Sequence, residues 1–365
     1  MRHFMAFGLI LLLAACGADE TAEEQDEDEK ENEVTDEERV NISIDDWEVE
    51  TVAANLSIPW DINYSDGQFI MTEREGYIVT VNEDREIDRS EVETSDPVHH
   101  EGEAGLLGMV LDDDFSQSSK AFLYYTYKGE NGLIFNRVVS VLREGNDWIE
   151  QDIVLDDIPG DRIHNGGRIA IGPDGYLYVT TGDANNPELS QEPEDLAGNI
   201  LRMTLDGEIP EDNPLENSYV YSYGHRNPQG MAWSDNTLYS SEHGPVAHDE
   251  INIIEAGKNY GWPVIEGDEE AADMESPLVH SGEETWAPSG MTWWNDTLIV
   301  AGLRGGSLYQ MDEDSEEMIV IFEGEGRIRD VFAHEGELYV ITNNTDGRGN
   351  PQSDDDRLLR LTLSE

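Results

Sequence analysis

One unit returns six times along the chain, and it restricts the fold more than any other feature. A turn leads into a short apolar or aromatic run, which ends in Gly-rich or polar residues. The copies are DGQFIMTEREG (66–76), SKAFLYYTYKG (119–129), DGYLYVTTGD (174–183), DNTLYSSEHG (235–244), NDTLIVAGLRGG (295–306) and EGELYVITNNTDG (335–347). A second strand-like run follows each: YIVTVNED, NRVVSVLRE, NILRMTLDG, DEINIIEAG, SLYQMDED and DRLLRLTLSE. Long amphipathic helical patterns are nearly absent. A sheet unit of this length cannot bury its faces alone, so copies must pack on one another. Six β copies at roughly 40–60-residue spacing predict an all-β fold, a six-bladed β-propeller closed into a ring. The last strand, near 357–363, and the first, DWEVETVA (46–53), are expected to share a blade. A β-sandwich or a pair of smaller β domains is the alternative.

A propeller gathers loops from all its blades at one mouth, so residues distant in sequence form one site. Cations inform here because they are scarce: 21 Lys and Arg stand against 81 Asp and Glu, for a net charge of -60. Several lie in Gly-rich or polar turns at equivalent places in the repeats. Arg162 and Arg168 flank His164 in DRIHNGGR, Arg226 lies in YGHRNPQG, Arg304 in GLRGG, and Arg327 and Arg329 in EGRIRDV. Guanidinium groups set this way in a polyanion predict a bound anion, a polycarboxylate or phosphate, held by charge-assisted forks. For any single Arg, pairing with a surface carboxylate is the competing reading. The stretch SSEHGPVAHDEINIIEAGKNYGWP (240–263) suggests a hard cation: Gly244-Pro245 can present successive carbonyls, and Glu250, ten residues before Tyr260, can provide a second oxygen site. A solvated acidic loop would look similar.

The charge excludes a nucleic-acid partner, which needs a basic face. It predicts repulsion from anionic membrane surfaces and suits a halophilic source, where salt screens self-repulsion. The start, MRHFMAFGLILLLAACGADE, reads as a secretory signal: a basic residue, a short apolar run and small residues before Cys16. It resembles a bacterial lipoprotein signal, which implies cleavage before Cys16 and lipidation of that residue, the single cysteine in the chain. The expected division is a signal peptide at 1–15, an acidic disordered linker at 16–42, and a catalytic propeller at 43–365. The expected location is extracytoplasmic, lipid-anchored to the cell membrane.

The strings IPWDI, GEAGLLGMVLDDDF, DRIHNGGRIAIGPDGYLYVTTGD, YSYGHRNPQGMAW, SSEHGP, DEINIIEAGKNYGWP, WAPSG and RIRDV occur in that order. Together they resemble the soluble quinoprotein glucose/sorbosone dehydrogenase family, in its aldose sugar dehydrogenase branch. The resemblance implies a six-bladed propeller that binds pyrroloquinoline quinone (PQQ) and Ca²⁺ and oxidises aldoses at C1 to lactones. It implies that His164 is the general base, with Asp183 close to base and substrate. Arg226 and Asn227 would contact the quinone oxygens. Glu103 would supply a polar cofactor contact, and Arg304, Arg327 and Arg329 would hold the cofactor carboxylates. The carbonyls of Gly244 and Pro245 would bind the cofactor's Ca²⁺, and Glu250 and Tyr260 a separate structural Ca²⁺. Partners would be a small-molecule sugar and an external electron acceptor. Two departures, His243 where the glucose-oxidising branch has Gln and Arg304 where it has Lys, favour broad aldose specificity. The pocket around Trp286, Pro288 and Ser289 is matched too loosely to name a sugar. Other readings are a Ca²⁺-dependent sugar lactonase and a non-catalytic propeller that binds a partner.

Overall fold

The computed structural model describes residues 42–312, 315 and 317–364. The signal, Cys16 and nearly all of the acidic linker lie outside the described residues. Among the described residues no helix is long and apolar enough to cross a membrane.

The chain from residue 42 onward is all-β. After β1 (Trp47–Ala53) come β2 (Pro59–Ser65), β3 (Gln68–Glu73), β4 (Tyr77–Asn82) and β5 (Ile87–Glu93). Next are β6 (Leu106–Leu111), β7 (Lys120–Lys128), β8 (Ile134–Glu144) and β9 (Asp147–Pro159), then β10 (Ile169–Ile171), β11 (Leu177–Thr180), β12 (Asn199–Met203) and β13 (Val220–Tyr223). They are followed by β14 (Pro228–Ser234), β15 (Thr237–Glu242), β16 (Glu250–Ile254) and β17 (Val279–His280). The rest are β18 (Pro288–Trp294), β19 (Thr297–Gly302), β20 (Ser307–Asp312), β21 (Glu317–Glu323), β22 (Ile328–His334), β23 (Glu337–Thr342) and β24 (Leu358–Leu363).

Three sheets are antiparallel meanders of four consecutive strands: β10–β13, β14–β17 and β18–β21. A fourth joins the two ends of the folded chain: β1 pairs with β24 from Trp47 opposite Leu363 to Ala53 opposite Leu358, and β23 and β22 complete it. The fifth has eight strands. It consists of the meanders β2–β5 and β6–β9, joined edge to edge where β5 and β9 run parallel, Val92 opposite Trp148.

The repeated strings are the second strands of these meanders, β3, β7, β11, β15, β19 and β23, and the runs after them are the third. Between neighbouring sheets lie buried apolar layers. Ile299, Leu308, Leu338, Val340 and Leu361 are fully buried in one of them. Each such side chain contributes about 1.5–3 kcal/mol over leaving it exposed.

First strands from distant parts of the sequence meet at one guanidinium. Arg168, just before β10, lies 2.9 Å from Asp61 of β2 and 3.2 Å from Asp330 of β22, and its Nε–H donates to the Gln229 carbonyl of β14 at 2.9 Å. It also lies over the Trp60 ring, 4.3 Å from the centroid. The expectation that Arg168 binds a ligand anion is therefore corrected: two buried carboxylates already neutralise it. Burial, helped by the charge of Asp330 and opposed by Arg168, pushes Asp61 up to about 7. A carboxyl raised above its unfolded value stabilises the fold fully below that unfolded value. The contribution is lost as pH rises through about 7. Thermal melts from pH 5 to 8 should show the melting temperature falling, with a shallower slope in Asp61→Asn.

Candidate active site

The meander geometry builds the site. In an antiparallel pair, the start of the first strand and the end of the second share one edge. Pro59 pairs with Glu73, Pro228 with Glu242, Pro288 with Gly302 and Ile328 with Thr342. In each of these pairs, and in β6/β7, the register shifts near the start of the first strand. Such bulges re-aim side chains. Residues leading into first strands and following second strands therefore converge, and these are the positions of His164, Arg226, Arg327, Asp183, His243 and Arg304.

His164 lies between β9 and β10 with φ +57°, followed by Gly166 at +61° and Gly167 at +102°. Left-handed backbone is unfavourable for a residue with a Cβ. Here its N–H donates to Glu103 at 3.1 Å and its carbonyl accepts from Ala184 N–H at 3.2 Å. Gly182, just after β11, passes so close that a Cβ there would sit 2.0 Å from the His164 carbonyl oxygen.

The imidazole is held at both nitrogens. Nδ1 lies 2.8 Å from Asp183 Oδ1, and Nε2 lies 3.0 Å from Arg226 Nη2. A guanidinium only donates, so Nε2 carries the lone pair and Nδ1 the proton. Asp183 is fully buried and also accepts from Asn185 N–H (2.8 Å) and Trp262 Nε1–H (2.9 Å). Arg226 donates from Nη1 to the His243 carbonyl at 3.1 Å, and its backbone N–H donates to Glu242. Glu242 in turn lies 2.8 Å from Nδ1 of buried His225. Burial lowers Arg226 below the usual guanidinium range, against the charges of Asp183 and Glu242.

Beside this cluster is a recess lined by Trp60, Arg74, Glu103, Gln229, His243 and Arg329, among others. It adjoins an open cleft of about 1050 Å³ through Leu303 and Arg348, which line both. Arg304 and Arg327 also line the cleft, and Asn165 and Gly166, next to His164 in sequence, line the recess. Arg329 is 5 % exposed and bonds only neutral groups: Gln229 Oε1 (2.7 Å), Asn343 Oδ1 (3.1 Å) and Ser289 Oγ (3.3 Å). Burial, reinforced by Arg74 and Arg327, pushes it down to about 9. Burial likewise pushes Arg74 down to about 10. Buried nitrogens without partners crowd this region: Arg74 Nε, Arg226 Nε, Asn227 Nδ2, His243 Nε2, Arg329 Nε and Asn343 Nδ2. Buried donors are normally satisfied, so such a concentration marks the seat of an acceptor-rich ligand. Glu103 is an ion here. Burial opposes its charge, but Arg348 at 2.7 Å and the His164 N–H hold it at about 2.

Gly244, Pro245, Glu250 and Tyr260 surround a single hollow, together with Glu242 and Glu266. Burial, with Glu242 close by, pushes Glu250 up to about 8, and Glu266 Oε2 has no partner. Among the described residues no three His, Cys, Asp or Glu side chains converge to hold a metal, so a cation there would draw on backbone oxygens.

The residues from 56 to 360 match the glucose/sorbosone dehydrogenase family model. The chain belongs to this family. It is 33% identical to aldose sugar dehydrogenase YliI of Escherichia coli (strain K12) over 67% of this chain and 76% of that protein. It is 27% identical to quinoprotein glucose dehydrogenase B of Acinetobacter calcoaceticus, over 85% of this chain and 88% of that protein. The solved PQQ-bound aldose sugar dehydrogenase from Streptomyces coelicolor is 38% identical, with TM-score 0.80, covering 87% of this chain and 98% of that one.

Within this family member, His164, Asp183, Arg226, Asn227, Glu103, Arg327 and Arg329 come together. Arg304 is exposed at the rim of the cleft. Arg162 is corrected from the expected anion-binding set: it is exposed and pairs with Glu101 at 2.9 Å. Arg327 is part-neutralised by Asp346 at 3.0 Å. Arg74, Glu242, Trp262 and Arg348 were not singled out from the sequence. Arg74 shared the signal that marked the others, a rare cation at the end of a repeat.

Proposed function

We propose that this family member is a PQQ-dependent aldose dehydrogenase built as a six-bladed propeller, the eight-stranded sheet counting as two blades. The crowd of unpartnered buried nitrogens around two cations that lack a carboxylate, Arg74 and Arg329, carries this reading. PQQ, a planar tricarboxylate with carbonyl oxygens, suits that donor set. Arg329, Arg327 and Arg304 would face its carboxylates, Arg226 and Asn227 its quinone oxygens, and Glu103 its edge. Bound, it supplies the hydride acceptor.

The chain's own residues do the proton work. His164 Nε2 carries the ring's lone pair; once Arg226 releases it, this nitrogen takes the proton of the sugar C1 hydroxyl. Asp183 accepts from Nδ1–H, fixes the tautomer and stabilises the imidazolium that forms. Arg226, desolvated and held by His243, stabilises negative charge developing beside it. The product is the lactone. An external electron acceptor reoxidises the site, and a lipid on Cys16 would hold the enzyme outside the cell membrane. Adding PQQ and Ca²⁺ to apoprotein in molar NaCl and following dye reduction with a panel of aldoses tests the reading. No reduction with any aldose would overturn it.

We assign Ca²⁺ to the hollow, with Gly244 and Pro245 carbonyls serving the cofactor side and Glu250 and Tyr260 a structural site. A metal bound to the folded state raises its melting temperature by mass action. The wild-type melting temperature should climb with free Ca²⁺, and that of Glu250→Gln should hardly respond. In chelator the variant should equal or exceed the wild type, because the amide needs no proton taken up to lie buried beside Glu242. Molar NaCl screens the polyanionic background in these melts.

A further inference from the structure

Trp262 touches both groups that hold His164. Its indole Nε1–H donates to Asp183 Oδ2 at 2.9 Å, and the Arg226 guanidinium lies 5.3 Å from its ring centroid. Backbone bonds fix its position: Trp262 N–H donates to the Gly224 carbonyl at 2.9 Å, and its carbonyl accepts from Gln191 Nε2–H at 2.6 Å.

The Asp183 carboxylate is fully buried and the Arg226 guanidinium half-buried beside it, and their backbones are adjacent, with Asp183 N–H donating to the Arg226 carbonyl at 2.8 Å. At low dielectric two such groups attract strongly. Their side chains nevertheless do not pair. Asp183 gives Oδ1 to His164 and the Asn185 N–H, and Oδ2 to Trp262. Arg226 gives its terminal nitrogens to His164 and the His243 carbonyl. An indole suits the space between them: its N–H edge satisfies an anion and its π face attracts a cation.

We propose that Trp262 is a positioning residue for sugar oxidation: its N–H end holds the Asp183 carboxylate on His164, and its ring face keeps the Arg226 guanidinium off that carboxylate. The proposal rests on His164 being the base. Without the indole N–H, Asp183 Oδ2 is a buried acceptor with no donor, and Arg226 is the cation beside it. The two then pair, and the imidazole loses the partner at each nitrogen.

Trp262→Phe removes the N–H and keeps a ring face; Trp262→Leu removes both. ¹⁵N NMR of the His164 ring in the apoprotein, assigned with His164→Gln, should show a single Nδ1–H tautomer in the wild type and a mixture in Trp262→Phe. In the reconstituted enzyme kcat should fall roughly 10–100-fold, the scale of small misplacements, with the sugar KM nearly unchanged. Trp262→Leu should lose more. Because Trp262 acts through His164, adding Trp262→Phe to His164→Gln should cost little further kcat. A Trp262→Phe protein with the wild-type ring spectrum, or a loss of kcat equally large in both backgrounds, overturns the proposal. If His164→Gln itself retains turnover, the base assignment falls, and the ring spectrum alone then decides whether Trp262 holds Asp183 on His164.

Discussion

His164→Gln is expected to cut turnover by roughly 10²–10⁴-fold, the usual contribution of a positioned general base. The size of the loss follows from how completely the ring is committed. Its Nδ1 proton lies on buried Asp183, and its Nε2 lone pair on Arg226. A glutamine amide can keep a hydrogen bond to either neighbour, but it cannot accept a proton at working pH. PQQ binding should persist, since the cations around the recess are untouched. Steady-state dye reduction at saturating sugar, alongside PQQ titration by tryptophan fluorescence, separates the two effects. Near-normal turnover would remove His164 from the mechanism.

The second large effect is expected at Arg329. Arg329→Met should weaken PQQ binding roughly 10–100-fold, the loss of a charge-assisted contact worth about 1.5–3 kcal/mol. The apoprotein should be nearly as stable as the wild type. The arginine is a buried cation with neutral partners, so removing it relieves a desolvation cost that offsets its lost bonds to Gln229 and Asn343. The diagnostic quantity is therefore the rise in melting temperature caused by PQQ, which should shrink while the apoprotein value barely moves. An unchanged dissociation constant would make Arg329 a structural residue.

Much of the strand order was legible because the second and third strands of each meander carry dense apolar and aromatic runs at regular spacing. The first strands were less visible as repeats. PQGMAWS and PSGMTWW open on Pro, with a Gly at the register shift, so their alternation is broken where the site is built. Arg226, Arg327 and Arg329 stood out because cations are rare in so acidic a chain. The same reasoning failed for Arg168, whose partners Asp61 and Asp330 lie far away along the sequence on either side. Trp262 left no local trace of its role either. Its partner Asp183 is 79 residues upstream, and an aromatic beside Gly and Pro reads equally well as packing.

The sheet that pairs β1 with β24 also sets a timetable. Trp47–Ala53 emerges early in synthesis and stays without its neighbour until Leu358–Leu363 has been made. The last sheet therefore completes only after Leu358–Leu363 has left the ribosome, and a polypeptide exported during translation would cross the membrane unclosed. Proteolytic loss of Leu358–Leu363 would leave the facing edges of β1 and β23 bare at once. Open strand edges of that kind recruit other chains, so such clipping should appear as aggregation and not as a gentle loss of activity.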